Sequence, residues 1–129
     1  MPNGSDRSSE DWERLESPFK EIDEEITRFA NDRNMVVIKN YHNWPSRFIQ
    51  WLRLDIDRSI QILVADGERL TFHVSLLAWK DNDGRRYFAH KRLKTHAEWH
   101  EIKNNLSSLL QESAQTLDSW SELDLSPGR

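Results

Sequence analysis

The stretch that decides the fold reads Ile60-Gln61-Ile62-Leu63-Val64, then the turn residues Asp66-Gly67, then Leu70-Thr71-Phe72-His73-Val74-Ser75-Leu76-Leu77-Ala78-Trp79. Apolar residues recur at every second position, β-branched and aromatic types are enriched, and an Asp-Gly pair separates the runs; together these specify antiparallel strands joined by a tight turn. The even positions Ile60, Ile62 and Val64 form one apolar set, and Leu70, Phe72, Val74, Leu76 and Ala78 the next. Directly opposed residues share a face, so Ile62 must oppose an even residue. The Asp66-Gly67 turn is therefore predicted to hold three or five residues, or to carry a bulge beside it. Working outward, Arg85 to Leu93 supplies a further strand after the turn Asp81-Asn82-Asp83-Gly84. On the other side, Phe48 to Ile56 is predicted as a strand whose even residues Phe48, Leu52, Leu54 and Ile56 face the core. Met35-Val36-Val37-Ile38 is short and uniformly apolar, which predicts a first, well-buried strand.

Helical patterning brackets this sheet. Ser17 and Pro18 suit an N-cap and a first helical position, and Phe19, Ile22, Ile26 and Phe29 then form one stripe ending near Asn31 to Asn34. Thr95-His96-Ala97-Glu98 has the form of a capping box. It precedes a second stripe of Trp99, Ile102, Leu106, Leu109, Leu110, Ala114 and Leu117, with Trp120 completing it. The expected architecture is an α+β two-layer sandwich: an antiparallel meander of about five strands with an N-terminal and a C-terminal helix packed on one face. The chain divides into a flexible tail over 1–16, one domain over 17–120 and a second tail over 121–129.

At 129 residues the chain is the size of one domain. It contains no cysteine, which excludes disulfides and thiolate chemistry and favours a cytoplasmic location. No apolar run approaches the length of a membrane span. The net charge of −4 conceals a segregation: residues 1–33 carry 10 acids and 5 bases, 34–96 carry 6 and 11, and 97–129 carry 6 and 2. The basic middle coincides with the sheet, and such asymmetry bears on partners rather than on fold.

If both helices cover one sheet face, the other stays open. The alternation places Arg47, Ile49, Trp51 and Arg53 there, with His73, Leu77, Trp79, Phe88, His90 and Arg92. The candidate partner-binding set is Arg47, Trp51, Arg53, His73, Leu77, Trp79, Phe88, His90 and Arg92. A patch of this kind points to a non-catalytic interaction protein of inhibitor, immunity or adaptor type, holding a protein partner or a second copy. Arginine interleaved with aromatic rings also suits single-stranded nucleic acid, whose bases stack on rings; the acidic ends of the chain oppose that. The alternative to an open face is that the 40–46 loop, or Trp12 and Leu15, folds over the patch.

A third reading is an enzyme using His42, within the loop candidates Tyr41, His42 and Trp44 of Asn40-Tyr41-His42-Asn43-Trp44-Pro45-Ser46. No P-loop or dinucleotide fingerprint accompanies it, and no cofactor is implied. His96 and His100 have the i, i+4 spacing that can share a metal on a helix, but no third ligand is indicated and no metal site is assigned.

Overall fold

A computed structural model describes residues 9–127. The first helix, α1, runs Ser9–Asp32 and is followed by β1 (Val36–Asn40), β2 (Ser46–Arg53), β3 (Ile56–Asp66), β4 (Thr71–Asn82) and β5 (Arg85–Glu98). Two helices follow, α2 (Trp99–Asn104) and α3 (Leu106–Ser119), then a 3₁₀ turn over Glu122–Asp124 and a two-residue strand β6 (Ser126–Pro127). All six strands pair in chain order as one antiparallel meander. Helix α1 packs on β1 and β2, α3 on β3 and β4, and α2 on β5, so the helices share one side of the sheet. This is the expected α+β sandwich, with β6 as a short sixth strand and the C-terminal helix broken at Asn105.

Helix α1 begins eight residues earlier than its sequence signals predict. Leu15 is fully buried and continues the Phe19, Ile22, Ile26, Phe29 stripe one turn backwards, past Pro18. Proline at position 18 removes the bond that its N–H would make to the Arg14 carbonyl. Burying Leu15 contributes about 2 kcal/mol, and Trp12 meets Tyr41 with ring centroids 6.3 Å apart. Tertiary contacts on both sides of Pro18 therefore outweigh its local cost. Of the tail expected over 1–16, residues 9–16 are thus the opening of α1, and 1–8 lie outside the described residues. The far end closes as expected: Asn34 takes the left-handed conformation (φ 60) and the Met35 N–H donates to the Ala30 carbonyl at 2.9 Å.

The register confirms the even faces of β3 and β4 and overturns that of β2. Ile60 opposes Leu76, Ile62 opposes Val74 and Val64 opposes Phe72. The turn between them holds the four residues 67–70, and a register shift between Val64 and Asp66 restores the parity, so a bulge rather than a three- or five-residue loop solves the problem. Before β3, Arg53 opposes Ile56 across a two-residue turn in which Leu54 (φ 55) and Asp55 (φ 62) are both left-handed. Phe48 to Ile56 is therefore a strand end, a primed turn and the start of another strand. Reversing the chain through two residues swaps odd and even. Arg47, Ile49 and Trp51 face the helices, while Phe48, Gln50 and Leu52 face away.

Two further expectations change. Thr95 to Glu98 end β5 instead of capping a helix, and α2 starts at Trp99 with no side-chain cap. The strand β1 is an edge strand, with Val36 61% and Ile38 38% exposed, so its apolar run is not buried.

Candidate functional site

Two arginines lie fully buried on the helix side of the sheet, and they explain why this side is closed. Arg47 donates to Asp23 of α1 through Nε at 2.7 Å and Nη2 at 3.1 Å, and to Glu16 through Nη2 at 2.8 Å. Burial opposes its charge, but the hydrogen bonds to Asp23 and Glu16 outweigh burial and raise its pKa. Arg58 donates to the carbonyls of Leu117, Trp120 and Arg53 and so closes the C-terminal end of α3, where a cation meets the negative end of the helix dipole. Its burial lowers its pKa, against the nearby Asp118 carboxylate. Trp51 donates to Asp118 Oδ1 at 3.0 Å, and Arg53 to the Asp118 carbonyl at 3.0 Å.

A cleft of about 850 Å³ opens beside these groups, lined by Arg33, Trp51, Arg53, Gln111, Gln115 and Asp118 among others. Its cations are already engaged on carbonyls, Arg33 on Phe29 at 3.2 Å and Arg53 on Asp118, so it is a place where two helix ends are tied down.

Of the nine residues expected on the open face, Arg47, Trp51 and Arg53 are therefore on the opposite side, engaged with the helices. The other six, His73, Leu77, Trp79, Phe88, His90 and Arg92, do share the outer face. Cross-strand register places them in rows with Gln61 and Ser75, which alternation also put on this face, and with residues of β1 and β2 that it did not. One row runs Ile38, Phe48, Gln61, Ser75, Arg92; the next Val36, Gln50, Ser59, Leu77, His90; the next Leu52, Asp57, Trp79, Phe88. Along the middle, Gln50 and Gln61 each donate through Nε2 to Ser59 Oγ at 3.4 Å, and Arg92 Nε donates to Ser75 Oγ at 3.1 Å. This polar seam divides two apolar patches. Val36, Ile38, Phe48 and Leu52 form one, with Leu52 64% exposed; Leu77, Trp79 and Phe88 form the other, with Phe88 40% exposed. The helices pack on the other side of the sheet, and the 40–46 loop borders the first patch at Phe48. Leu15 is core and Trp12 meets Tyr41 beside Glu16 and Arg47, so neither Trp12 nor Leu15 covers the outer face; of the 40–46 loop, residues including His42, Trp44 and Pro45 line a groove with Phe48 and Leu63 at its margin.

The sequence signal for Phe48 and Leu52 was weak because Leu54-Asp55 is not an Asn-Gly type turn. Its two-residue geometry is imposed by the pairing on either side.

Cations lie at the β5 side of the face. Arg86 binds Asp81 at 2.8 and 3.1 Å and sits 5.7 Å from the Trp79 ring centroid. His73 Nδ1 accepts the His96 backbone N–H at 3.2 Å, and the two imidazole centroids are 4.9 Å apart. Burial, followed by the charges of Arg92 and His96, lowers the His73 pKa.

The loop residues separate. The Tyr41 hydroxyl donates to Glu16 at 2.9 Å, and Trp44 packs beside Gly67, where an added Cβ would meet its ring at 3.4 Å. His42 is exposed in a groove of about 390 Å³ lined by Asn40, Asn43, Trp44, Pro45, Ser46, Phe48, Leu63 and Val64, none of them a partner for proton transfer. His96 ends in β5 and His100 in α2, so no helix carries the pair. Glu98, His100 and Glu101 bring ligand atoms within 4.8 Å of one another, but all three are exposed. Among the described residues no helix is long and apolar enough to cross a membrane.

No protein family, curated protein or solved structure matches the chain.

Proposed function

We propose that this chain is a non-catalytic interaction protein, of inhibitor, immunity or adaptor type, that binds a protein partner through the outer face of its sheet. The observation that carries this reading is the pair of apolar patches on the side of the six-stranded sheet away from the helices. A rigid sheet presents Trp79, Leu77 and Phe88 without an ordering cost on binding, and exposed apolar area of this kind stabilises an interface when a partner removes it from water. The Ser and Gln seam supplies hydrogen-bonding groups between the patches. Arg92, Arg86 and His90 along β5 favour a partner with an acidic rim, since complementary charge sets orientation and encounter rate.

Single-stranded nucleic acid is the weaker reading because Arg47 and Arg53 serve the helix side, which leaves cations at one margin of the face instead of along a phosphate track.

The test mutates ring and charge separately. Trp79→Ser is expected to abolish saturable binding of the partner recovered by affinity capture, while Arg92→Glu slows association and leaves a measurable complex. The reading fails if Trp79→Ser leaves that binding intact. It is replaced by the nucleic-acid reading if the wild type binds a labelled single-stranded oligonucleotide with an affinity that falls steeply between about 50 and 200 mM salt and Arg92→Glu removes it.

A further inference from the structure

The ladder between β4 and β5 is regular from Arg85 to Arg92 and then breaks twice. Leu93 is extra between the pairs Ser75–Arg92 and Val74–Lys94, and Thr95 with His96 stands against His73 alone before the pairs Phe72–Ala97 and Thr71–Glu98 resume. A bulge leaves backbone groups without a ladder partner, and a backbone N–H must be satisfied some other way. Here the His96 N–H donates to the side chain of the facing residue, His73 Nδ1, at 3.2 Å. The neutral imidazole of His73 therefore carries its own proton on Nε2. His96 is left-handed, with φ 50, and its Nδ1 lies 3.1 Å from Thr71 Oγ1. Among the described residues its edge of β5 meets no further strand, since β6 pairs only at Tyr87 and Phe88. Two side-chain contacts to β4 are thus what hold the bulge down.

We propose that His73 is a proton-operated latch: a proton taken up on Nδ1 breaks its bond to the His96 N–H and releases the Thr95–His96 bulge from β4, while the pairs on either side stay formed. This rests on the bulge and its hydrogen bonds, independently of the outer-face reading. Protonation turns the acceptor into a donor that faces another donor, so the bond cannot survive it and the ring must turn away.

The surroundings sharpen the effect. On β3, His73 opposes the uncharged Leu63; on β5, Arg92 and His96 face it, and burial first, then these two charges, disfavour a cation there. Lys94 opposes Val74 and lines a small cavity with Ala97 and Ile102, on the helix side. The carboxylates of this corner serve other groups: Asp66 accepts from the Glu68 and Arg69 N–H groups at 2.9 and 3.2 Å, and Glu98 lies 3.7 Å from His100. No described carboxylate bonds to the His73 ring, so nothing compensates the proton while the latch is closed. Beyond the bulge, Ala97 is buried and the Trp99 ring packs 4.9 Å from Phe72; before it, Arg92 Nε holds Ser75 Oγ at 3.1 Å. These anchors confine the opening to a few residues, a local event within an intact sheet. The same tautomer explains why two imidazoles 4.9 Å apart do not form a metal pair: a metal on His73 Nε2 would drive the proton to Nδ1, against the His96 N–H.

Amide hydrogen exchange read residue by residue by NMR, with each rate divided by its intrinsic value, tests the latch. Protection of the His96 amide is expected to fall about tenfold for each pH unit below about 6.5, levelling at the folded pKa of His73, while the amides of Ile62 and Leu76 keep theirs. Long-range proton–nitrogen spectra at about pH 7.5 should show His73 as the Nε2–H tautomer. His73→Asn places a carbonyl oxygen where Nδ1 stood, so it should keep His96 protected and abolish the pH response; His73→Phe, with no acceptor, should leave His96 unprotected at every pH. The proposal is overturned if the wild-type His96 amide stays protected down to about pH 5, if His73→Asn responds to pH as the wild type does, or if His73 is the Nδ1–H tautomer. Loss of protection at Ile62 and Leu76 in step with His96 also overturns it, because the whole sheet would then be opening.

Discussion

Replacing Arg47 by Met tests the reversed face of β2 at its most sensitive point. Methionine keeps the length of the side chain and removes the guanidinium, which is fully buried and bound to Asp23, Glu16 and the Ser46 carbonyl, and whose Cζ lies 4.9 Å from the Phe19 ring centroid. Removing one partner of a buried ion pair costs about 3–5 kcal/mol, because the charge left behind has lost both water and its counterion. Here Asp23 and Glu16 keep some access to solvent, and each retains one other partner, Lys39 at 3.6 Å and the Tyr41 hydroxyl at 2.9 Å. The lower end, about 3 kcal/mol, is therefore expected. Against a domain stability of about 5–15 kcal/mol, and with a urea slope of about 1.5 kcal/mol/M, the midpoint should fall by about 2 M. Adding Asp23→Leu should recover part of the loss, since it removes one stranded carboxylate. Phe48→Ser, one residue away on the outer face, should cost below about 1 kcal/mol. The result that would refute the reasoning is the reverse order, Phe48→Ser costly and Arg47→Met nearly neutral, because it would return the even residues of β2 to the core.

Three further outcomes follow from the same contacts. Phe72→Ala should cost about 3–5 kcal/mol in chemical denaturation, since the ring is fully buried with its centroid 5.6 Å from Phe19 and 4.9 Å from Trp99. Leu54→Asn with Asp55→Gly should raise the thermal midpoint and stabilise the fold by about 1 kcal/mol, because both positions are left-handed, leucine does not suit that backbone, and glycine suits it better than aspartate. His73 has a folded pKa below its ordinary value of about 6.5, so the unfolded chain takes up its proton first; stability is present above that value and is lost as pH falls through the folded pKa. Urea midpoints measured between about pH 7.5 and pH 5 should therefore fall less in His73→Gln than in the wild type.

Periodicity in the sequence determined the α+β class, the meander, the even faces of β3 and β4, the stripes of α1 and of the C-terminal helices, and the end of α1 at Asn34. Each rests on residues a few positions apart, where side-chain direction follows from backbone geometry. Three matters were decided only by tertiary structure. The start of α1 depended on Leu15 finding the core, a contact that no local signal around Ser17-Pro18 contains. The face of β2 depended on Leu54 and Asp55 forming a left-handed turn, which pairing on both sides enforces against the preference of Leu54. That single turn moved Arg47, Trp51 and Arg53 to the helices and put Phe48 and Leu52 on the outer face. The exposure of β1 was invisible for a related reason: an apolar β-branched run reads the same at the centre of a sheet as at its edge, and only the order of the strands, with β1 outermost, distinguishes them.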